Sequence, residues 1–139
     1  MTVTQYLADW RPYPFEITET RLDFDLAPRA TRVRSQIDFR RKGAGDLVLD
    51  GAGLKTLSLA IDGRPLDPAQ VAGERLVIPA ADLPDAFTFS AEVEIDPEAN
   101  TALEGLYLSG GMFCTQCEAE GFRHITWYPD RPDVMAPFR

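Results

Sequence analysis

From Phe87 to Ile95 the chain alternates without a fault: Phe87, Phe89, Ala91, Val93 and Ile95 are apolar, while Thr88, Ser90, Glu92 and Glu94 are polar. Successive side chains of an extended backbone point to opposite faces, so this run fits a strand with one face in a core and the other in water. A helix would spread the same residues around its whole girth. Weaker versions of the pattern recur. Leu22, Phe24 and Leu26 interleave with Arg21, Asp23 and Asp25; beyond a Pro28 turn, Val33, Ile37 and Phe39 interleave with Arg32, Arg34, Asp38 and Arg40. These predict a hairpin. Leu47–Leu49 stops at Asp50-Gly51, and Leu57, Leu59 and Ile61 lead into Asp62-Gly63, a dipeptide that turns readily because it tolerates positive φ. Leu76–Ile78 stops at Pro79, and the best helical window, Ala80–Ala86, is broken by Pro84. The pattern predicts an all-β sandwich, with residues 1–139 as a single β domain.

Composition narrows the partners. The 139 residues carry 22 acidic and 14 basic side chains, a formal charge of −8 that repels a phosphate backbone and an anionic membrane surface alike. Nucleic acid and membrane are therefore excluded as expected partners, and a cationic ligand such as a peptide amino terminus suits the sign of the field. No apolar run approaches the roughly 18 residues that a spanning helix needs. The opening MTVTQYLADWRPYPFEI has no basic leader followed by an apolar core. A cytoplasmic, reducing location is the expectation, with both cysteines as free thiols.

From Asn100 onward the regular alternation gives way to glycine, aromatics and clustered polar groups, the texture of segments that carry function. The stretch CTQCEAEGFRHITWYPDRPDV, Cys114 to Val134, holds both cysteines and the only histidine. Cys114 and Cys117 have zinc-clasping spacing, but His124 is the one further soft or imidazole ligand, short of the four a closed site needs. A redox pair of this spacing works at a helix start, and nothing here is helical. Taken as extended, the run places Cys114, Gln116, Glu118 and Glu120 on one face. Gln116 and Glu118 then pair a neutral acceptor with a carboxylate, a combination that suits a protonated amine. A solvated polar face with no ligand accounts for the same spacing. Glu118 and Glu120 crowd one side rather than flanking a bond, which argues against an acid–base pair. His124 reads as a hydrogen-bonded structural imidazole.

The segment NTALEGLYLSGGMFCTQCEAEGFRHITWYPDRPDV, together with YLADWRPYPFEITETRLDFDL near the start, resembles the amino-terminal domain of bacterial aminopeptidase N, a zinc-dependent aminopeptidase family of gluzincin type. The resemblance implies a saddle-shaped all-β module that lines one side of a substrate cavity. It implies that Gln116 and Glu118, at the family's Gln-x-Glu element, bind the free amino group of a peptide. Asp130-Arg131-Pro132 is similar to an Asp-Glu-Pro element of the family, with Arg in place of Glu, and is read as structural. The family's chemistry uses H-E-x-x-H and a more distant Glu to hold zinc, and a G-A-M-E-N loop at the amine. Neither motif is present, so the resemblance implies a substrate-positioning module that is not catalytic alone, with zinc and the catalytic domain elsewhere in the parent polypeptide. It also implies a sandwich truncated at its C-terminal end, with an open sheet edge prone to self-association. Two alternatives stand beside it: a free-standing β-sandwich binding module without peptidase activity, and a C-x-x-C metal or thiol protein.

Overall fold

The computed structural model describes residues 4–67 and 70–139; of the stretch read for a leader, residues 1–3 lie outside it. Among the described residues, ten strands in three antiparallel sheets make the fold. Strands β1 (Phe15–Asp25), β2 (Thr31–Arg41), β8 (Ala86–Ile95), β4 (Lys55–Ile61) and β5 (Arg64–Pro65) form a five-stranded sheet in the order β1-β2-β8-β4-β5. Strands β3 (Leu47–Asp50), β7 (Arg75–Ile78) and β6 (Val71–Ala72) form a second. The third is a hairpin of β9 (Gly105–Ser109) and β10 (Met112–Gln116).

The alternation of β8 is realised residue for residue: Phe87, Phe89, Ala91, Val93 and Ile95 are all buried. They join Val33, Ile37 and Phe39 of β2, Leu47 and Leu49 of β3, and Leu76 and Ile78 of β7 in one core. Phe39 stacks on Phe87 at 5.3 Å, and Phe15 meets both edge-on. Burial of a side chain of this size stabilises by about 1.5–3 kcal/mol, so the inner faces of β2 and β8 dominate the fold.

Two expectations need correcting. Leu22, Phe24 and Leu26 share a face, but β1 shifts register between Ile17 and Glu19 and runs outward beyond the core, leaving Phe24 39% and Leu26 51% exposed. Asp50-Gly51 is not a hairpin turn, because β3 pairs with β7 and β4 with β8, so the connection crosses between sheets. Asp62-Gly63 does turn β4 into β5, with φ of 49° and 77°. Ala80–Asp82 forms one 3-10 turn before Pro84.

The outward face of the large sheet is laced with charge. Arg21 meets Asp38 at 3.1 Å, Arg32 meets Glu92 at 3.1 Å, and Arg34 meets Asp23 at 3.3 Å, so the arginines of β1 and β2 find carboxylates on neighbouring strands. Exposed pairs of this kind contribute about 0–1 kcal/mol each, and they set strand register more than stability. Asp38 is the best held. Thr88 Oγ1 donates to it at 2.7 Å and Arg21 adds its charge, so its carboxyl lies below the usual carboxylate range. A lowered folded-state pKa contributes stability above the unfolded value and loses it as pH falls through the folded one. Asp38→Asn is thus expected to lower the melting temperature at neutral pH and to cost little in strong acid. Thermal melts across pH would show this, and an equal cost at every pH would overturn it.

The edge of β1 is partly covered. Thr20 N–H donates to Pro137 O at 2.8 Å, Leu22 N–H to Arg139 O at 2.9 Å, and Arg139 N–H returns to Thr20 O at 2.8 Å, with a parallel bridge between Thr20 and Phe138. Phe138 packs against Phe122 and Tyr128.

Candidate functional site

The segment singled out by its polar density begins as β10 and ends as a turn. Gly110 and Gly111, at φ of 56° and 80°, reverse the chain between β9 and β10, and Gln116 closes the ladder opposite Gly105. Alternation alone predicts a strand that runs on through Glu118 to Glu120. Instead the strand stops at Gln116, and residues 118–121 fold into a turn with Glu120 left-handed at φ 62°. Gly121 is the cause. Its N–H donates to Cys117 O at 2.9 Å, and a Cβ there would stand 2.6 Å from Gln116 O, so the chain can fold back this closely only on glycine. The Glu118–Ala119 peptide within the turn is cis.

This turn, rather than strand alternation, brings Gln116 and Glu118 together. Gln116 Nε2 donates to Glu118 O at 2.9 Å. The amide nitrogen is thereby engaged and Oε1 is the acceptor left over. Both residues are exposed. The Glu118 carboxylate has no cationic partner among the described residues, whereas Glu120 Oε1 lies 3.8 Å from Arg123 Nη2. An acceptor oxygen beside an unpaired carboxylate can take two N–H bonds of an ammonium group.

Below the turn lies a network that the spacing did not reveal. Asp130 Oδ2 accepts from Arg123 N at 3.1 Å and from Arg123 Nε at 3.0 Å, and Arg123 Nη2 donates to Asp130 O at 3.2 Å. Asp130 N–H donates in turn to Asp50 Oδ2 at 3.3 Å, and Ala52 N–H donates to Arg123 O at 2.9 Å. Burial pushes the Asp50 carboxyl above its ordinary value, with Arg123 pulling the other way. Gly51 lets this region close, since a Cβ there would meet the Trp127 ring at 2.5 Å. Trp127 Nε1 donates to Thr56 Oγ1 at 2.9 Å. Asp130-Arg131-Pro132 is structural on these contacts: Arg131 also pairs with Asp133 at 2.6 Å and donates to Arg11 O at 2.8 Å.

The cysteines are both free and partly exposed. Cys117 packs against the core, and burial raises its thiol pKa, opposite to the shift that a reactive thiol needs. His124 Nε2 lies 3.2 Å from Glu104 Oε2. Among the described residues no group of three or more His, Cys, Asp or Glu side chains is placed to hold a metal ion, so the C-x-x-C pair has no donor set around it. No helix among them is long and apolar enough to cross a membrane. An open cavity of about 580 Å³ lies between Leu57, Leu66, Val71 and Trp127, and neither Gln116 nor Glu118 lines it.

No family model matches the chain. Its fold nevertheless superposes on the M1 zinc metallopeptidase of Deinococcus radiodurans with a TM-score of 0.71 over 91% of this chain and 32% of that one, at 16% identity, a likeness of fold alone. On Legionella pneumophila aminopeptidase A, in its crystal structure with aspartic acid, the TM-score is 0.84 at 26% identity over 96% of this chain and 16% of that one. The chain is homologous to the amino-terminal β-sandwich domain of the M1 aminopeptidases. Within that class its sequence is similar to aminopeptidase N of Caulobacter vibrioides, 58% identical over 136 residues that cover 95% of this chain and 16% of that protein. The chain thus spans about a sixth of the length of the curated relative it matches.

Proposed function

We propose that this chain is a substrate-positioning part of a zinc metalloaminopeptidase, in which Gln116 Oε1 and the Glu118 carboxylate bind the amino group of a peptide. One observation carries the reading: Gln116 Nε2 is tied to the Glu118 backbone oxygen, which leaves Gln116 Oε1 as an acceptor on the same turn as an exposed carboxylate that has no cationic partner among the described residues. A protonated amine supplies that cation, and a neutral or acylated one does not. Similarity to a protein called aminopeptidase N supports the substrate class.

Among the described residues no donor set fits a zinc ion. Metal and base belong to a catalytic domain on the same polypeptide. Peptide substrates, that domain and a second copy meeting the open stretch of the β1 edge are the partners in this reading. The single β domain of residues 1–139 and a cytoplasmic location, consistent with two free thiols, are part of it.

The test is a matched pair of substrates. The complete polypeptide should cleave an aminoacyl anilide and leave its N-acetylated counterpart essentially uncut. Equal turnover of the two would remove the amine from recognition and sink the reading.

A further inference from the structure

Two carboxylates, Glu118 and Glu120, stand two residues apart on one tight turn, and both are exposed. An incoming ammonium would meet two countercharges on one turn and settle in more than one pose. The structure breaks this degeneracy. Arg123 Nη2 lies 3.8 Å from Glu120 Oε1, while Glu118 is left without a cation among the described residues.

Arg123 is also the best-anchored side chain near the turn. Its side chain is 19% exposed and that of its partner Asp130 14%. Its N–H, Nε and Nη2 all bond to Asp130, and its carbonyl accepts from Ala52. Asp130 is held in turn by Asp50 of β3, so the guanidinium is referenced to the second sheet. A guanidinium held on two atoms in one plane has a fixed direction, which a lysine ammonium on a flexible stem does not.

We infer that Arg123 is a positioning residue for the amine site: it pairs with Glu120, so that Glu118 alone serves as countercharge. This rests on the reading that Gln116 and Glu118 bind the amine. Arg123 itself does not touch the substrate in this arrangement. It acts by engaging the competing carboxylate of Glu120.

The experiment uses the complete polypeptide and two zinc-directed inhibitors, one bearing a free amine and one lacking it. Arg123→Lys should weaken the amine-bearing inhibitor and raise KM for a free-amine substrate by about five- to twentyfold, with kcat changed less and the amine-free inhibitor unaffected. Glu120→Gln alone should change little. Combined with Arg123→Lys it should recover most of the lost discrimination, because the freed carboxylate is what competes. A purely structural role would shift both inhibitors together and would not be rescued at position 120. Glu118→Gln separates the two claims. If it leaves amine discrimination intact, the amine site itself falls; if it abolishes discrimination while Arg123→Lys preserves it, or if Glu120→Gln gives no rescue, the positioning role alone falls.

Discussion

Replacing Glu118 by alanine in the complete polypeptide is expected, on the proposed function, to lower kcat/KM for a free-amine peptide by about ten- to a hundredfold. The figure follows from the bond that is lost: a hydrogen bond to a charged group, shielded from water once substrate is seated, is worth about 1.5–3 kcal/mol, and each 1.4 kcal/mol is a factor of ten. Gln116→Ala removes a neutral acceptor and should cost about three- to tenfold on the same scale. Order matters as well as size. If the glutamine variant proved the more damaging, the amide would have to be doing something other than accepting an N–H bond, such as holding the turn through Nε2 and Glu118 O. Steady-state kinetics on both variants decide the matter, and unchanged kinetics in Glu118→Ala would remove that residue from the site.

The largest effect on stability is expected at Gly51. A methyl group there would sit 2.5–2.7 Å from atoms of the Trp127 indole, which is only 3% exposed and tied through Nε1 to Thr56. The ring cannot swing away without breaking that bond and the packing around it. Forcing a carbon into a filled core costs typically about 1–3 kcal/mol, and a rigid neighbour places this case at the upper end. For a chain of this length such a loss corresponds to a drop of roughly 5–10 °C in melting temperature. Thermal melts of Gly51→Ala, followed by near-ultraviolet circular dichroism of the tryptophans, measure both the loss and the ring movement. An unchanged melting temperature would show that the close approach is not real.

Most of the sheet architecture was legible because period-two alternation is dictated by the geometry of extended backbone, and β2 and β8 obey it over their whole length. Two failures have one cause. Leu22, Phe24 and Leu26 alternate as well as the residues of β8, yet the core does not extend that far, and alternation says which side chains share a face without saying whether the face is covered. Asp50-Gly51 has the chemistry of a hairpin turn, but Gly51 is there to make room for Trp127, a contact across the fold that no local signal carries.

The candidate site was legible in its residues and not in its geometry. Spacing paired Gln116 with Glu118 by assuming an extended chain, and the pair is instead assembled by a turn that Gly121 permits. A glycine between Glu120 and Phe122 was the available hint that the strand had ended. The Arg123–Asp130–Asp50 network lay beyond reach, because Asp50 belongs to a strand far away in sequence.

The short parallel seam between Thr20 and Phe138 joins β1 to a segment far downstream in the sequence. During vectorial synthesis β1 emerges early and finds β2 on one side within a hairpin, but the other side stays bare until Pro137–Arg139 leave the ribosome. The most sequence-distant backbone pairing among the described residues is thus also the one that shields a sticky border from neighbouring nascent chains, and it can form only once the whole stretch between its two partners has been made.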